Sequence, residues 1–195
     1  MDNPTNLNMR TQTFGRDRVL PVTVMASFIA LSSSLRLVKH VFVGPLQFVN
    51  FPAVFSILGG LMLGPAAGFL IGSMSFLVSD LFIGFAGPWT IVTSLSMGLV
   101  GALSPLARKV NNDDSLLGLG ILSYLLLLIY DVLSSVLLLI PTLPLHLAFF
   151  SAIVGLFLPS SIVFYPVGLV TEIVTVLLIV LIYPKVKTTW RRVRL

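Results

Sequence analysis

Long runs of apolar residues constrain this chain more than any motif does. From Leu116 to Ile140 it reads LLGLGILSYLLLLIYDVLSSVLLLI, in which Asp131 is the one charged residue. Several such runs in one short chain leave too little polar sequence to cover them in water. A bilayer resolves that problem but imposes another, because every backbone N–H and C=O in lipid must find its partner within the protein. Helices of about 20 residues meet both demands, rising 1.5 Å per residue across a ~30 Å hydrocarbon core.

Six such spans are expected, running roughly from Val19 to Val38, Val49 to Leu63, Pro65 to Gly84, Trp89 to Ala107, Leu116 to Ile140 and Ile162 to Tyr183. With 56% hydrophobic and 10% charged residues, no polar stretch is long enough for a soluble catalytic domain. The expected fold is therefore an all-α integral membrane protein, a single membrane domain over residues 1–195. Residues 1–18 and the basic segment 184–195 would be cytoplasmic tails flanking a six-helix bundle at 19–183. The polar start is too long for a typical signal-peptide n-region, so the first span is expected to be retained. Gly64-Pro65 predicts a tight break between the second and third spans.

The apolar segment PTLPLHLAFFSAIVGLFLPSS, between the fifth and sixth spans, is bracketed by Pro141, Pro144 and Pro159. Basic residues favour cytoplasmic loops. Six spans with the N-terminus inside place Arg10, Arg16, Arg18, Arg108, Lys109, Lys185, Lys187, Arg191, Arg192 and Arg194 on that side, ten of the twelve basic residues. A seventh crossing would put the basic C-terminal segment outside. Residues 142–160 are thus expected to form an apolar flap over the outer face. The net charge of +5 is then topological, and nucleic-acid binding is not expected.

Arg36 and Lys39 break this pattern, ending the first span beside His40 at its outer end. Snorkelling to headgroups would explain them, as would a place on the rim of a site. Asp80, Asp131 and Glu172 lie inside spans, where an ionised group is costly and faces a cavity, a partner or a substrate. Tyr124, Asp131, Ser134 and Ser135 fall on one face of span five, and Tyr165, Gly168, Glu172 and Thr175 on one face of span six. These stripes predict a shared pocket open to the outside. Its candidate lining adds Asn50, Trp89, Tyr130 and His146. Pairing between the acids and Arg36, or hydrogen bonding between helices, is the alternative use of the same groups.

Other chemistries lack their parts. The absence of cysteine excludes thiol catalysis and thiolate metal sites. No nucleotide-binding G-x-x-x-x-G-K-[ST] loop or H-E-x-x-H motif occurs, and His146 stands alone, so no metal, cofactor or enzymatic activity is expected. Small residues instead recur at a spacing of four: Gly60, Gly64, Gly68 and Gly72, then Ser94, Gly98 and Ala102. That spacing lets helix backbones approach closely in lipid. Ala26, Ala30 and Ser34 could pack likewise inside the bundle, or form a flat strip for another membrane protein.

Four stretches resemble the substrate-binding S components of energy-coupling factor (ECF) vitamin transporters. They are ASFIA in the first span, FPAVFSILGGLMLGPAAGFLIG across spans two and three, GPWTIV opening span four, and FYPVGLVTEIVTVLLIVLIYPKV in the last. The likeness covers about residues 19–187, and LGP followed by Gly68 is its most specific part. It implies six helices with cytoplasmic termini and an outer pocket covered by the first and fifth loops. It also implies a transmembrane coupling protein served by two ATPases, docked on Ala26 and Ala30. The very apolar fifth loop departs from that pattern.

The expected function is capture of a vitamin or similar nutrient for ATP-driven uptake. A stand-alone transporter, with Asp131 and Glu172 relaying protons, is the alternative, although 195 residues without an inverted repeat are few for one. A small membrane enzyme comes third. The acids and aromatics would suit a cationic heteroaromatic such as thiamine, and Arg36, Lys39 and His40 a carboxylate or phosphate. The element across spans two and three looks most like riboflavin-type S components, which ranks riboflavin or another flat heterocycle first.

Overall fold

The computed structural model describes residues 4–44, 48–84, 86–107, 115–158 and 167–194. Seven helices account for most of them: α1 Pro4–Val43, α2 Phe51–Leu63, α3 Pro65–Ile83, α4 Pro88–Leu103, α5 Leu116–Leu139, α6 Leu145–Phe157 and α7 Val167–Arg194. Among the described residues, four segments are long and apolar enough to cross a membrane, Val19–Val43, Pro65–Ile83, Leu116–Leu139 and Gly168–Val193. The chain is an all-α membrane protein. The expected start of the last span, at Ile162, and the loop residues Arg108 and Lys109 lie outside the described residues.

Local sequence sets the helix ends. The Asn50 side chain accepts a hydrogen bond from Ala53 N at 3.3 Å, capping α2, and Ser115 caps α5 in the same way through Gly118 N. Between α2 and α3 the chain turns at Gly64, whose φ of +100° is a conformation that an L side chain rarely adopts. Pro65 then opens α3, where a missing N–H costs nothing. The expected break at Gly64-Pro65 is present.

Packing centres on α2, which touches α1, α3, α4 and α7. Nine of its 13 residues are buried, with Ala53, Val54, Ile57, Leu58 and Leu61 at the core. Contact between α2, α3 and α4 is made through glycine. A Cβ on Gly60 or Gly68 would strike the carbonyl of Gly101, and one on Gly101 would strike that of Gly68. The Ser56 hydroxyl lies in this seam, within hydrogen-bond distance of Gly68 O at 3.1 Å and Met97 O at 3.3 Å. The four-residue spacing of small groups thus serves internal packing at Gly60, Gly68, Gly72 and Gly98, all buried.

α1 is peripheral and packs on α2 and α3. Its inner side sets Phe28 edge-on against Phe55 at 5.4 Å and joins Ser33 Oγ to Ser75 O at 3.2 Å. Ala26, Ala30 and Ser34 lie exposed on the same helix.

α6 is held more loosely than any other helix. Only Ala148 and Ala152 are buried, against Val136 with Val132, Leu139 and Leu143 around them. Its 13 residues make about 20 Å of helix, short of a bilayer core. Enlarging its contact, as in Ala148→Leu, should lift α6 from α5 without unfolding the rest. Hydrogen exchange should then quicken in α6 and stay unchanged in α2, α3 and α4.

Candidate functional site

Two polar centres occupy the end of the bundle that carries α6. The first joins α1, α3 and α4. The Arg36 guanidinium donates to Asp80 Oδ1 and Ser79 Oγ through one nitrogen, Nη1. Ser79 can accept because its own hydroxyl hydrogen is directed back into α3, toward Ser75 O at 2.7 Å. The second Asp80 oxygen accepts from Thr90 Oγ1 at 2.7 Å, and Thr90 Oγ1 accepts from Gly87 N at 3.2 Å, closing the first turn of α4. Both oxygens of the buried Asp80 are therefore engaged within the protein, beside a helix N-terminus that favours negative charge.

The second centre joins α5, α6 and α7. Glu172 is 2% exposed, and its Oε2 has no hydrogen-bond partner; Asp131 Oδ2 is likewise buried and unpartnered. A cavity of about 450 Å³ opens beside Asp131, with Ser135 on α5, Ser151 and Gly155 on α6, and Gly168 on α7 also in its wall. Glu172 follows Gly168 by four residues, one turn along the same face of α7. Of the two expected stripes, Asp131 and Ser135 on α5 and Gly168 on α7 share this wall.

Aromatic rings bridge the two centres. The Arg36 guanidinium stands 4.5 Å from the centroid of Phe76, and Phe76 lies 6.1 Å from Tyr130, which is buried on α5 next to Asp131. Asn50 is buried as well; its backbone N–H donates to Thr175 Oγ1 at 2.9 Å, tying the start of α2 to α7.

Other candidates lie further out. Trp89 is 44% exposed and folds its ring over Gly87 at the start of α4, His146 is exposed on α6, and Lys39 is partly buried near the end of α1. Tyr165 lies outside the described residues. Sequence reading missed Phe76, Ser79, Thr90 and Ser151. Thr90 carried a local signal, since it stands three residues after Gly87 at a helix start, where a capping side chain belongs. Phe76 carried none, because one more phenylalanine in an apolar run is indistinguishable from lipid-facing bulk.

Comparison with family models matches residues 17–185 to the ECF-type riboflavin transporter S component. Comparison with curated proteins and with solved structures returns no significant match. The family match spans nearly all of the bundle, from the start of the first apolar run to the basic end of α7. The chain therefore belongs to the ECF-type riboflavin transporter S component family, whose members are transporter subunits and not enzymes.

Proposed function

We propose that this chain captures riboflavin, or another flat heterocyclic nutrient of that type, at the outer membrane face and relies on separate subunits for energy. The family match over residues 17–185 carries this reading. Buried carboxylate oxygens in α5 and in the apolar first half of α7 support it, since such groups are kept in a membrane where a substrate or partner uses them. Ligand released from protein purified in native membranes and identified by mass spectrometry tests it directly. A flavin is the expected result, and a chemically unrelated ligand would overturn the substrate.

In this reading six helices cross the bilayer, both termini are cytoplasmic, and α6 lies over the outer end of the pocket as a flap. α2 is as short as α6, yet most of it is buried, whereas α6 buries two alanines. Residues 19–183 form the bundle, with 1–18 and 184–195 as its cytoplasmic tails. The pocket draws on Arg36, Lys39, Asn50, Asp80, Trp89, Tyr130, Asp131, His146, Tyr165 and Glu172. Within that set Asp131 and Glu172 make direct ligand contacts, while the mutual engagement of Arg36 and Asp80 suits them to holding the wall.

Energy comes from a transmembrane coupling protein served by two ATPases, and the coupling protein docks on Ala26, Ala30 and Ser34. The exposure of all three on the peripheral α1 supports this role. Ala26→Leu and Ala30→Leu should leave thermal stability and ligand affinity unchanged in the isolated protein, because the added side chain meets only lipid. Co-purification with the coupling protein and ATP-driven uptake should be lost, since small residues are what let helices approach. Normal assembly and uptake by both variants would remove the docking role. Uptake by this chain without any ATPase would instead favour a stand-alone transporter.

A further inference from the structure

The thirteen residues of α6, LHLAFFSAIVGLF, include no Asp, Glu, Lys or Arg, and only Ala148 and Ala152 among them are buried. Phe150 and Phe157 are 67% and 62% exposed, with Leu145, Leu147, Phe149 and Ile153 exposed beside them. In a membrane protein such a surface meets hydrocarbon. The buried alanines rest on Val136, which sets α6 alongside the second half of α5. Beside that contact the described residues enclose a groove of about 400 Å³. Its described wall is six aliphatic residues of α5, from Leu125 to Val136 along one stripe, and Phe149 of α6. None of these side chains carries a polar atom.

The dimensions of the groove select its occupant. From Leu125 to Val136 α5 rises about 17 Å, close to the ~15 Å of hydrocarbon in one leaflet of a ~30 Å core. Spread along that length, about 400 Å³ makes a channel roughly 5 to 6 Å wide. Another helix, ~10 Å across with its side chains, is too thick for it. One polymethylene chain fits, since its carbons keep ~4 Å from their neighbours. Water is a poor filler, because an apolar wall offers it no hydrogen bonds. A filler matters here: between groups already in lipid the attraction is van der Waals packing, and a wall with no atoms opposite it forfeits that.

We infer that the groove seats one acyl chain of a membrane phospholipid, and that this chain supplies packing that holds α6 against α5. A phospholipid is the source because its tails already stand along one leaflet in the direction of the groove. The polar cavity described above uses Asp131, Ser135 and Leu138 of α5, a different stripe, so the chain braces α6 without entering that cavity. The inference does not depend on which nutrient is carried.

Hydrogen exchange and native mass spectrometry of the full-length protein provide the test. In a steroid-based detergent, which has no flexible alkyl chain, removing phospholipid should speed exchange in α6 at least ~10-fold and leave α2, α3 and α4 unchanged. Adding dioleoyl phosphatidylglycerol should restore the slow rate. Leu133→Trp fills the groove from α5 and Phe149→Trp fills it from α6. Ile121→Trp is the control, being exposed on α5 outside the groove. One phospholipid should stay with the parent and with Ile121→Trp and be lost from both groove variants, whose α6 should exchange at one rate with or without lipid. Exchange in the parent's α6 that ignores phospholipid would overturn the inference, as would equal lipid retention by both groove variants. Retention of a free fatty acid in place of a phospholipid would overturn the occupant named here.

Discussion

Gly68→Leu should cost about 3 kcal/mol or more and leave little folded protein, the largest effect expected from one substitution in this chain. The new Cβ would collide with the Gly101 carbonyl and lie 2.8 Å from the Gly60 Cα, and these are backbone atoms that no rotamer change can move. Relief requires α3 to part from α2 and α4. That separation would also break the hydrogen bond from Ser56 to Gly68 O. Lipid supplies little hydrophobic drive to hold helices together, so lost backbone proximity is not recovered by burying the added side chain. Thermal unfolding of detergent-purified protein checks it. Gly155→Ala is the control, because nothing lies within 4 Å of its built Cβ, and it should hold or slightly raise stability through better helix propensity. A Gly68→Leu variant that melts like the parent would refute the role of the seam.

Asp80→Ala should destabilise the bundle by about 3 kcal/mol, near the lower end for breaking a buried ion pair because the Arg36 side chain is 21% exposed. Truncation leaves the guanidinium facing Ser79 alone and takes the acceptor from Thr90 Oγ1, loosening the first turn of α4. The cost arises from stranding a charge and not from losing a strong attraction, so removing both partners should be far milder. Arg36→Met with Asp80→Leu should regain most of the stability. Arg36→Lys should not substitute, since an ammonium lacks the planar guanidinium that lies over Phe76. Melting temperatures measured without ligand for the two single variants and the double variant decide the matter. Additive losses would show that Arg36 and Asp80 do not act as a pair.

Much of the architecture was legible because membrane helices announce themselves one-dimensionally. An apolar run needs no partner elsewhere in the chain to be recognised, and breakers such as Gly64-Pro65 act over two or three residues. Inward-facing carboxylates were legible for a related reason: a charge in an apolar run is too costly to be incidental, so Asp80, Asp131 and Glu172 stood out before any contact was known. Their different situations were not legible. Asp80 is consumed by Arg36 and Thr90, 44 and 10 residues away in the chain, while Glu172 keeps an unpartnered oxygen.

Class, helical fold and the positions where charge enters the membrane were thus determined by sequence alone, because hydropathy, backbone hydrogen bonding and turn chemistry act over one helix or less. Tertiary structure decided which equal-looking residues do what. Gly68 and Gly155 are both glycines within apolar helices, yet one abuts a carbonyl of α4 and the other faces open space. Ala30 and Ala152 are both small residues on apolar stretches of helix, yet one is exposed on α1 and the other is buried where α6 meets α5. The physical reason is common to each pair: closeness of approach is a property of two helices together, and one helix's sequence carries no record of where its neighbour's backbone will lie.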